Sequence, residues 1–134
     1  MAYFGGGEDN NVYALNASTG AKLWSFTTGN SVESSPAVAN GVVYIGSADQ
    51  NIYALNATTG AKLWNFTTGA IVESSPTVAN GVVYNGSWDY NVYCTEREHR
   101  RKAVELLERW PRGSGSRTSR PLLSHVEDLR PCTR

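Results

Sequence analysis

The chain has 134 residues, enough for one ordinary domain, and its twelve basic and twelve acidic residues give a formal net charge of zero. It contains no run of about eighteen apolar residues, so we expect no membrane-spanning helix. Met1–Gly5 lacks the basic and apolar regions of a secretory signal. The two cysteines, Cys94 and Cys132, are not spaced as a metal or redox pair.

A repeat of forty residues dominates the first part of the sequence. Residues 12–51 recur as residues 52–91, and the two copies differ at nine positions. A fixed period of this length indicates one supersecondary unit, which must stack on its neighbours to bury its apolar face. The sequence therefore predicts a repeat architecture.

Within the complete repeat, apolar residues recur with period two, which predicts strands. Asn40-Gly41 forms a two-residue hairpin turn, because both positions tolerate a positive φ. Asp49 lies in a second turn, where it can bond its own backbone, and Gly60 lies in a third. The predicted strands are Ser35–Ala39, Val42–Ser47, Asn51–Asn56 and Lys62–Thr67. Four antiparallel strands in about forty residues are typical of one blade of a β-propeller.

The ends of the chain do not fill whole blades. We predict an all-β partial propeller over residues 1–93, with an incomplete blade at 1–28, a complete blade at 32–69 and an incomplete blade at 72–93. The first blade begins at its second strand. The matches that place it are Phe4 with Tyr44, Gly6 with Gly46, Asp9 with Asp49 and Asn11 with Asn51.

Residues 94–134 form a basic tail of different composition, with ten basic and six acidic residues against two and six before them. One T inserted after the codon of Tyr93 would explain the change. Codons for residues 94–106 can be chosen so that the neighbouring frame reads Ala-Leu-Asn-Ala-Ser-Thr-Gly-Ala-Lys-Leu-Trp-Asn-Phe, the expected repeat. Our hypothesis is that the tail is a repeat read out of frame, which the gene sequence would test.

The tail as written still carries local signals. Thr95 and Glu98 fit a capping box, and opposite charges four residues apart follow. We predict a short helix near residues 96–110, ended by Pro111, and disorder over the Ser-, Gly- and Arg-rich residues 113–120. An out-of-frame origin argues against reading the positive charge as a nucleic-acid surface, so we expect no nucleic-acid partner.

The run Ala14–Trp24, repeated as Ala54–Trp64, resembles the tryptophan-docking motif of PQQ-like, or quinoprotein-type, β-propellers. The segment Ser34-Ser35-Pro36 fits the same family, and the resemblance covers residues 1–93. It implies that each indole packs between neighbouring blades near a Thr-Gly turn. The expected docking residues are Trp24, Trp64, Thr19, Gly20, Thr59 and Gly60. Asn16 and Asn56 stand where the family usually has Asp.

The resemblance implies a quinone and Ca²⁺ site only for the dehydrogenases of this fold. Their adjacent cysteine pair is not matched here, and none of their catalytic or metal-binding residues carries over. We predict no cofactor and no catalysis. Asp9, Asp49 and Asp89 recur at one turn in every repeat, so we interpret them as Asx turns. Glu33 and Glu73 could line a central channel or be solvated loop carboxylates.

Trp88 and Tyr90 stand at a turn where the preceding repeat has Ala48 and Gln50. Aromatic rings at a loop tip could contact a protein or a sugar, and drift at a tolerant position is the alternative. Four Asn-x-Ser/Thr patterns allow glycosylation without requiring it, at Asn16, Asn56, Asn65 and Asn85.

From the sequence we expect a non-catalytic PQQ-like propeller fragment that acts as a scaffold for protein or ligand binding. The alternatives are a fragment of a PQQ-dependent quinoprotein dehydrogenase, or a truncated or frameshifted product without a function of its own. Further blades or a second copy are the expected partners, because an open ring exposes strand edges. The resemblance also implies that relatives are often periplasmic or on the cell surface.

Overall fold

The computed structural model describes residues 1–96 and 100–104, and these residues form three antiparallel sheets. The first sheet has three strands, β1 (Ala2–Gly5), β2 (Asn11–Leu15) and β3 (Lys22–Thr27). The second has β4 (Ala37–Ala39), β5 (Val42–Gly46), β6 (Asn51–Asn56) and β7 (Lys62–Thr67). The third has β8 (Thr77–Ala79), β9 (Val82–Gly86), β10 (Val92–Glu96) and β11 (Arg100–Val104). No helix in this part of the chain is long and apolar enough to cross a membrane.

Each sheet is a meander in which sequential strands are neighbours. The turn chemistry explains the tight connections. Asn40 and Gly41 both have positive φ, at 51° and 78°, as the two-residue hairpin between β4 and β5 requires. Gly60 has a φ of 81° in the turn between β6 and β7. The prediction of a partial propeller with four-stranded antiparallel blades is confirmed.

The alignment of the first strand from sequence is wrong by one residue. The corrected matches are Tyr3 with Tyr44, Phe4 with Ile45 and Gly5 with Gly46, because each pair holds the same register against the following strand. The turn after β1 therefore contains one residue more than its counterpart. Gly7, with a φ of 73°, adopts the left-handed conformation that accommodates the extra residue.

The third sheet continues past residue 93, where the sequence predicted that it would stop. Cys94 and Thr95 extend β10 along β9, and β11 pairs with the other edge of β10. The predicted helix near residues 96–110 is therefore wrong at residues 100–104. A short helix is marginal in water, whereas a strand edge offers partners to the backbone groups that face it. The rest of that helix and the disorder predicted at 113–120 lie outside the described residues.

The core lies between the sheets. Val12 and Trp24 of the first sheet pack with Ile45 and Leu55 of the second in one continuous cluster of buried side chains. Between the second and third sheets, the buried apolar side chains form two smaller clusters, of which one contains Ile52 and the other Val83. Stacking of sheets therefore supplies the burial that a single blade cannot supply alone.

Candidate functional site

Trp24 joins the first sheet to the second. Its indole Nε1–H donates to the carbonyl oxygen of Ala57 at 3.1 Å, and only 9% of the residue is exposed. The ring lies against Gly60, where an added Cβ would come within 2.6 Å of the nearest indole carbons. The Tyr3 hydroxyl donates to the same Ala57 carbonyl at 3.0 Å. The structure therefore brings Trp24 and the Thr59-Gly60 turn together across the interface.

The turn that receives Trp24 is held by its own side chains. Asn56 Oδ1 accepts the backbone N–H groups of Thr58 and Thr59 at 2.8 and 3.0 Å. Thr59 Oγ1 accepts the N–H of Ala61 at 3.2 Å. An Asn oxygen thus performs the acceptor role expected of Asp at this position. The hydroxyl and amide fix the turn so that Gly60 faces the ring.

The first sheet carries the same turn without a tryptophan on it. Asn16 Oδ1 accepts from Ser18 and Thr19 at 2.8 and 3.0 Å, and Gly20 has a φ of 80°. An added Cβ at Gly20 would meet nothing within 4 Å. Thr19 and Gly20 therefore form a docking turn whose indole partner is absent from the described residues.

Trp64 lies between the second and third sheets. Its ring packs against Tyr44 of its own sheet at 6.1 Å between centroids, and it borders both apolar clusters of that interface. It is half-buried, and so more exposed than Trp24. The turn that corresponds to the one receiving Trp24 begins at residue 97, outside the described residues.

The aspartate of each turn has a second role that sequence reasoning missed. Asp49 Oδ1 accepts the Asn51 N–H at 3.0 Å, which confirms the predicted Asx turn. Asp49 Oδ2 accepts the Tyr53 hydroxyl at 2.5 Å and the backbone N–H of Gly29, in the preceding blade, at 2.8 Å. The carboxylate therefore ties two blades together. No local pattern reveals a bond between residues that are twenty positions apart.

The third blade repeats this arrangement, and the first keeps only its local half. Asp89 Oδ2 accepts the Tyr93 hydroxyl at 2.5 Å and the Gly69 N–H at 2.8 Å. Asp9 accepts the Asn11 N–H at 2.9 Å and the Tyr13 hydroxyl at 2.6 Å, both within its own sheet. The inter-blade bond thus recurs wherever the described chain provides a preceding blade.

These contacts shift the titration of the groups involved. Burial raises the pKa of Asp49, but hydrogen bonds from Tyr53, Gly29 and Asn51 outweigh it and hold the pKa below its ordinary value of 3.8. Burial and the hydrogen bond to Asp89 together raise the pKa of Tyr93 to about 12. The aspartates are therefore ionised and the tyrosines neutral at physiological pH.

The same contacts argue against a metal or quinone centre on these aspartates. Both Asp49 oxygens already accept hydrogen bonds, whereas Ca²⁺ needs six to eight oxygen ligands. Within residues 1–96 and 100–104, no three His, Cys, Asp or Glu side chains gather as a metal site would require. The residues that the structure describes do not fit the quinone and Ca²⁺ centre of the dehydrogenases.

Trp88 and Tyr90 lie together at the tip of the turn between β9 and β10. They are 62% and 63% exposed. The backbone N–H of Trp88 donates to the Ile71 carbonyl oxygen at 3.0 Å, which fixes the base of the tip. Tyr90 has a φ of 72°, in the region that bulky residues rarely adopt, and Gln50 has a φ of 80° at the matching position. The tip therefore presents two aromatic rings on a constrained backbone.

Other sequence candidates lie apart from this tip. Glu33 and Glu73 are exposed, which fits the loop-carboxylate interpretation. Asn85 is 3% exposed, so its glycosylation pattern is closed to a glycan in the folded chain. Its Nδ2 donates to the Ser74 carbonyl at 3.0 Å, but its Oδ1 has no partner among the described residues.

Asn91 shows a similar gap. Its Oδ1 is buried without a partner among the described residues, whereas Asn11 Oδ1 and Asn51 Oδ1 accept threonine hydroxyls at 2.6 Å. Those threonines stand sixteen positions later, at Thr27 and Thr67, and the sequence has Leu107 at the matching place.

Three stacked antiparallel sheets, joined by a docked tryptophan and an inter-blade carboxylate, define a partial β-propeller. The chain belongs to the PQQ-like repeat family described as outer membrane protein assembly factor BamB, whose match spans residues 8–125. The match runs past residue 93, where the motifs that suggested the family end. No curated protein sequence matches the chain.

Solved structures of the same fold include two dehydrogenases and BamB. A europium-containing methanol dehydrogenase matches with a TM-score of 0.64 and 21% identity over 76% of this chain and 22% of its own. Quinohemoprotein alcohol dehydrogenase ADHIIG from Pseudomonas putida HK5 matches with a TM-score of 0.63 and 27% identity, over 75% of this chain and 18% of its own. BamB from Moraxella catarrhalis matches with a TM-score of 0.61 and 26% identity, over 71% of this chain and 30% of its own. The chain spans less than a third of each of these proteins.

Proposed function

We propose that this chain is a non-catalytic propeller scaffold that binds a protein partner through the tip formed by Trp88 and Tyr90. The observation that supports the proposal is the exposure of both rings, 62% and 63%, at a turn where the third blade departs from the repeat. The left-handed backbone of Tyr90 carries a conformational cost. Aromatic anchors of this kind contribute much of the energy of protein interfaces.

The family description supports a binding role. The description of the family, outer membrane protein assembly factor BamB, names a protein that acts on other proteins. One of the similar solved structures is a BamB, from Moraxella catarrhalis. The same name supports a location of the intact protein at the cell envelope as part of this proposal. Stacked blades provide a rigid support from which a loop tip can be presented.

A double substitution tests the proposed contact with a control built into the repeat. Trp88→Ala with Tyr90→Gln restores the residues of the preceding turn, so the fold is retained. Quantitative cross-linking with envelope proteins of the source organism should lose specific partners in this variant. Leu63→Ala removes an apolar side chain that is 50% exposed elsewhere and should change nothing. Unchanged protein partners in the double variant would contradict the proposal. If a glycan array instead shows binding by the unmodified chain that the double variant loses, the ligand of the tip is a sugar.

A second candidate, a fragment of a quinoprotein dehydrogenase, is favoured by the names of two similar structures. Calorimetric titration of the chain with pyrroloquinoline quinone and Ca²⁺ separates the two functions. A scaffold gives no saturable uptake of the quinone. Saturable, Ca²⁺-dependent uptake would replace the scaffold proposal with the enzyme fragment.

Sequencing of the gene around the codon of Tyr93 decides whether the tail is a frameshift product.

A further inference from the structure

Both internal interfaces use one recurring contact. The backbone N–H of Gly29 donates to Asp49 Oδ2 at 2.8 Å, and the same bond recurs forty residues later at the same distance. The ring of Phe26 also meets the ring of Tyr53 at 5.4 Å between centroids, in an edge-on contact. A Phe-Thr-Thr-Gly segment at the end of one blade thus recognises an Asp and a Tyr of the next.

The first sheet presents the receiving half of this contact without a partner from another sheet among the described residues. Asp9 and Tyr13 match Asp49 and Tyr53 in the repeat. Phe4 is 41% exposed, whereas Ile45, its counterpart in the second sheet, is fully buried. Strand β1 also pairs only on one side, with β2. We name β1's free edge, Phe4, Asp9 and Tyr13 the open face.

We propose that the open face binds a further copy of the repeat, through the segment that corresponds to Phe26–Ala39. In the second blade this one stretch supplies the phenylalanine ring, the glycine N–H and the edge strand β4, which pairs with β5. A single segment therefore donates a hydrogen bond to the carboxylate and pairs with the edge of the strand. Addition of a strand to a free edge is an established mode of peptide recognition. The proposal does not depend on the function proposed for the aromatic tip.

A synthetic peptide with the sequence of residues 26–41 tests this on the full chain. Labelled with a fluorophore, it should bind saturably, as measured by anisotropy. A matched peptide with N-methylglycine at the position of Gly29 lacks the N–H donor. It should bind about tenfold more weakly, which is equivalent to about 1.4 kcal/mol. Absence of binding, or equal affinity of the two peptides, would overturn the proposal.

Two variants of the chain place the peptide. Asp9→Asn removes the charge that receives the glycine N–H and should also weaken binding about tenfold. Asp49→Asn is the matched control, because its carboxylate already holds Gly29, and it should leave the affinity unchanged. Equal loss in both variants would show that the peptide binds elsewhere and would overturn the assignment. If Asp9→Asn does not fold, the two peptides still decide on the unmodified chain.

Discussion

The two interfaces between sheets come from almost the same forty residues but pack differently. In the first, Ile45 and Leu55 are fully buried and connect the apolar side chains into one cluster. In the second, Asn85 and Thr95 hold the corresponding positions, and the apolar side chains fall into two clusters. Among the described residues, the loss of a continuous core in the second interface thus coincides with the replacement of two apolar side chains by polar ones.

The first interface should depend most on its docked tryptophan. Trp24→Ala removes a buried ring and its bond to Ala57, and should lower the free energy of unfolding by about 3–5 kcal/mol. Trp64→Ala should cost less, because Trp64 is only half-buried. Urea unfolding followed by circular dichroism measures both. Equal costs would mean that the two interfaces are equivalent.

Gly60→Ala should destabilise the same interface more than Gly20→Ala. Both glycines have φ near 80°, so each substitution carries the left-handed cost of about 1–2 kcal/mol. At Gly60 the new Cβ also meets the Trp24 ring at 2.6 Å, whereas at Gly20 it meets nothing within 4 Å. The additional cost at Gly60 should be about 1–3 kcal/mol. Urea midpoints of the two variants provide the comparison, and equal midpoints would refute a close packing of ring on turn.

The second interface should improve when its polar side chain is replaced. Asn85→Ile removes a buried oxygen without a described partner and restores the residue of the first interface. It also removes the two hydrogen bonds from Nδ2 to Ser74, but Ser74 is exposed and water can replace them. We therefore expect a net gain of about 1 kcal/mol. Ile45→Asn is the reciprocal change and should destabilise the first interface. Thermal unfolding of both variants is the measurement. A loss of stability in Asn85→Ile would show that the Nδ2 bonds to Ser74 outweigh the cost of the unpaired oxygen.

The smallest expected effect is on acid stability. The folded pKa of Asp49 is lowered, so its contribution is complete above the ordinary value of 3.8 and is lost as pH falls through the folded pKa. Asp49→Asn should therefore flatten the decline of stability below about pH 4. Asp9→Asn should flatten it less, because Asp9 is exposed and lacks the inter-blade bond. Unfolding midpoints between pH 2 and 7 measure the difference, and identical acid profiles would contradict it.

Local patterns predicted much of this fold. The period-two alternation and the Asn40-Gly41 hairpin placed the strands, because both depend on neighbouring residues. The Asx turn of Asp49 followed in the same way. The one-residue offset of Phe4 and the strand at residues 100–104 were missed, since register and edge pairing depend on other strands. The bond from Gly29 to Asp49 was missed because it joins two blades.

A double-mutant cycle between Trp24 and Gly60 tests most directly whether blades are held together by ring-on-turn docking. Gly60→Ala is measured in the unmodified chain and in Trp24→Ala, with sucrose added to keep both backgrounds folded. If the ring causes the additional cost, Gly60→Ala in Trp24→Ala should cost no more than Gly20→Ala. The same cost in both backgrounds would show that Trp24 and Gly60 are not coupled, and would contradict the docking.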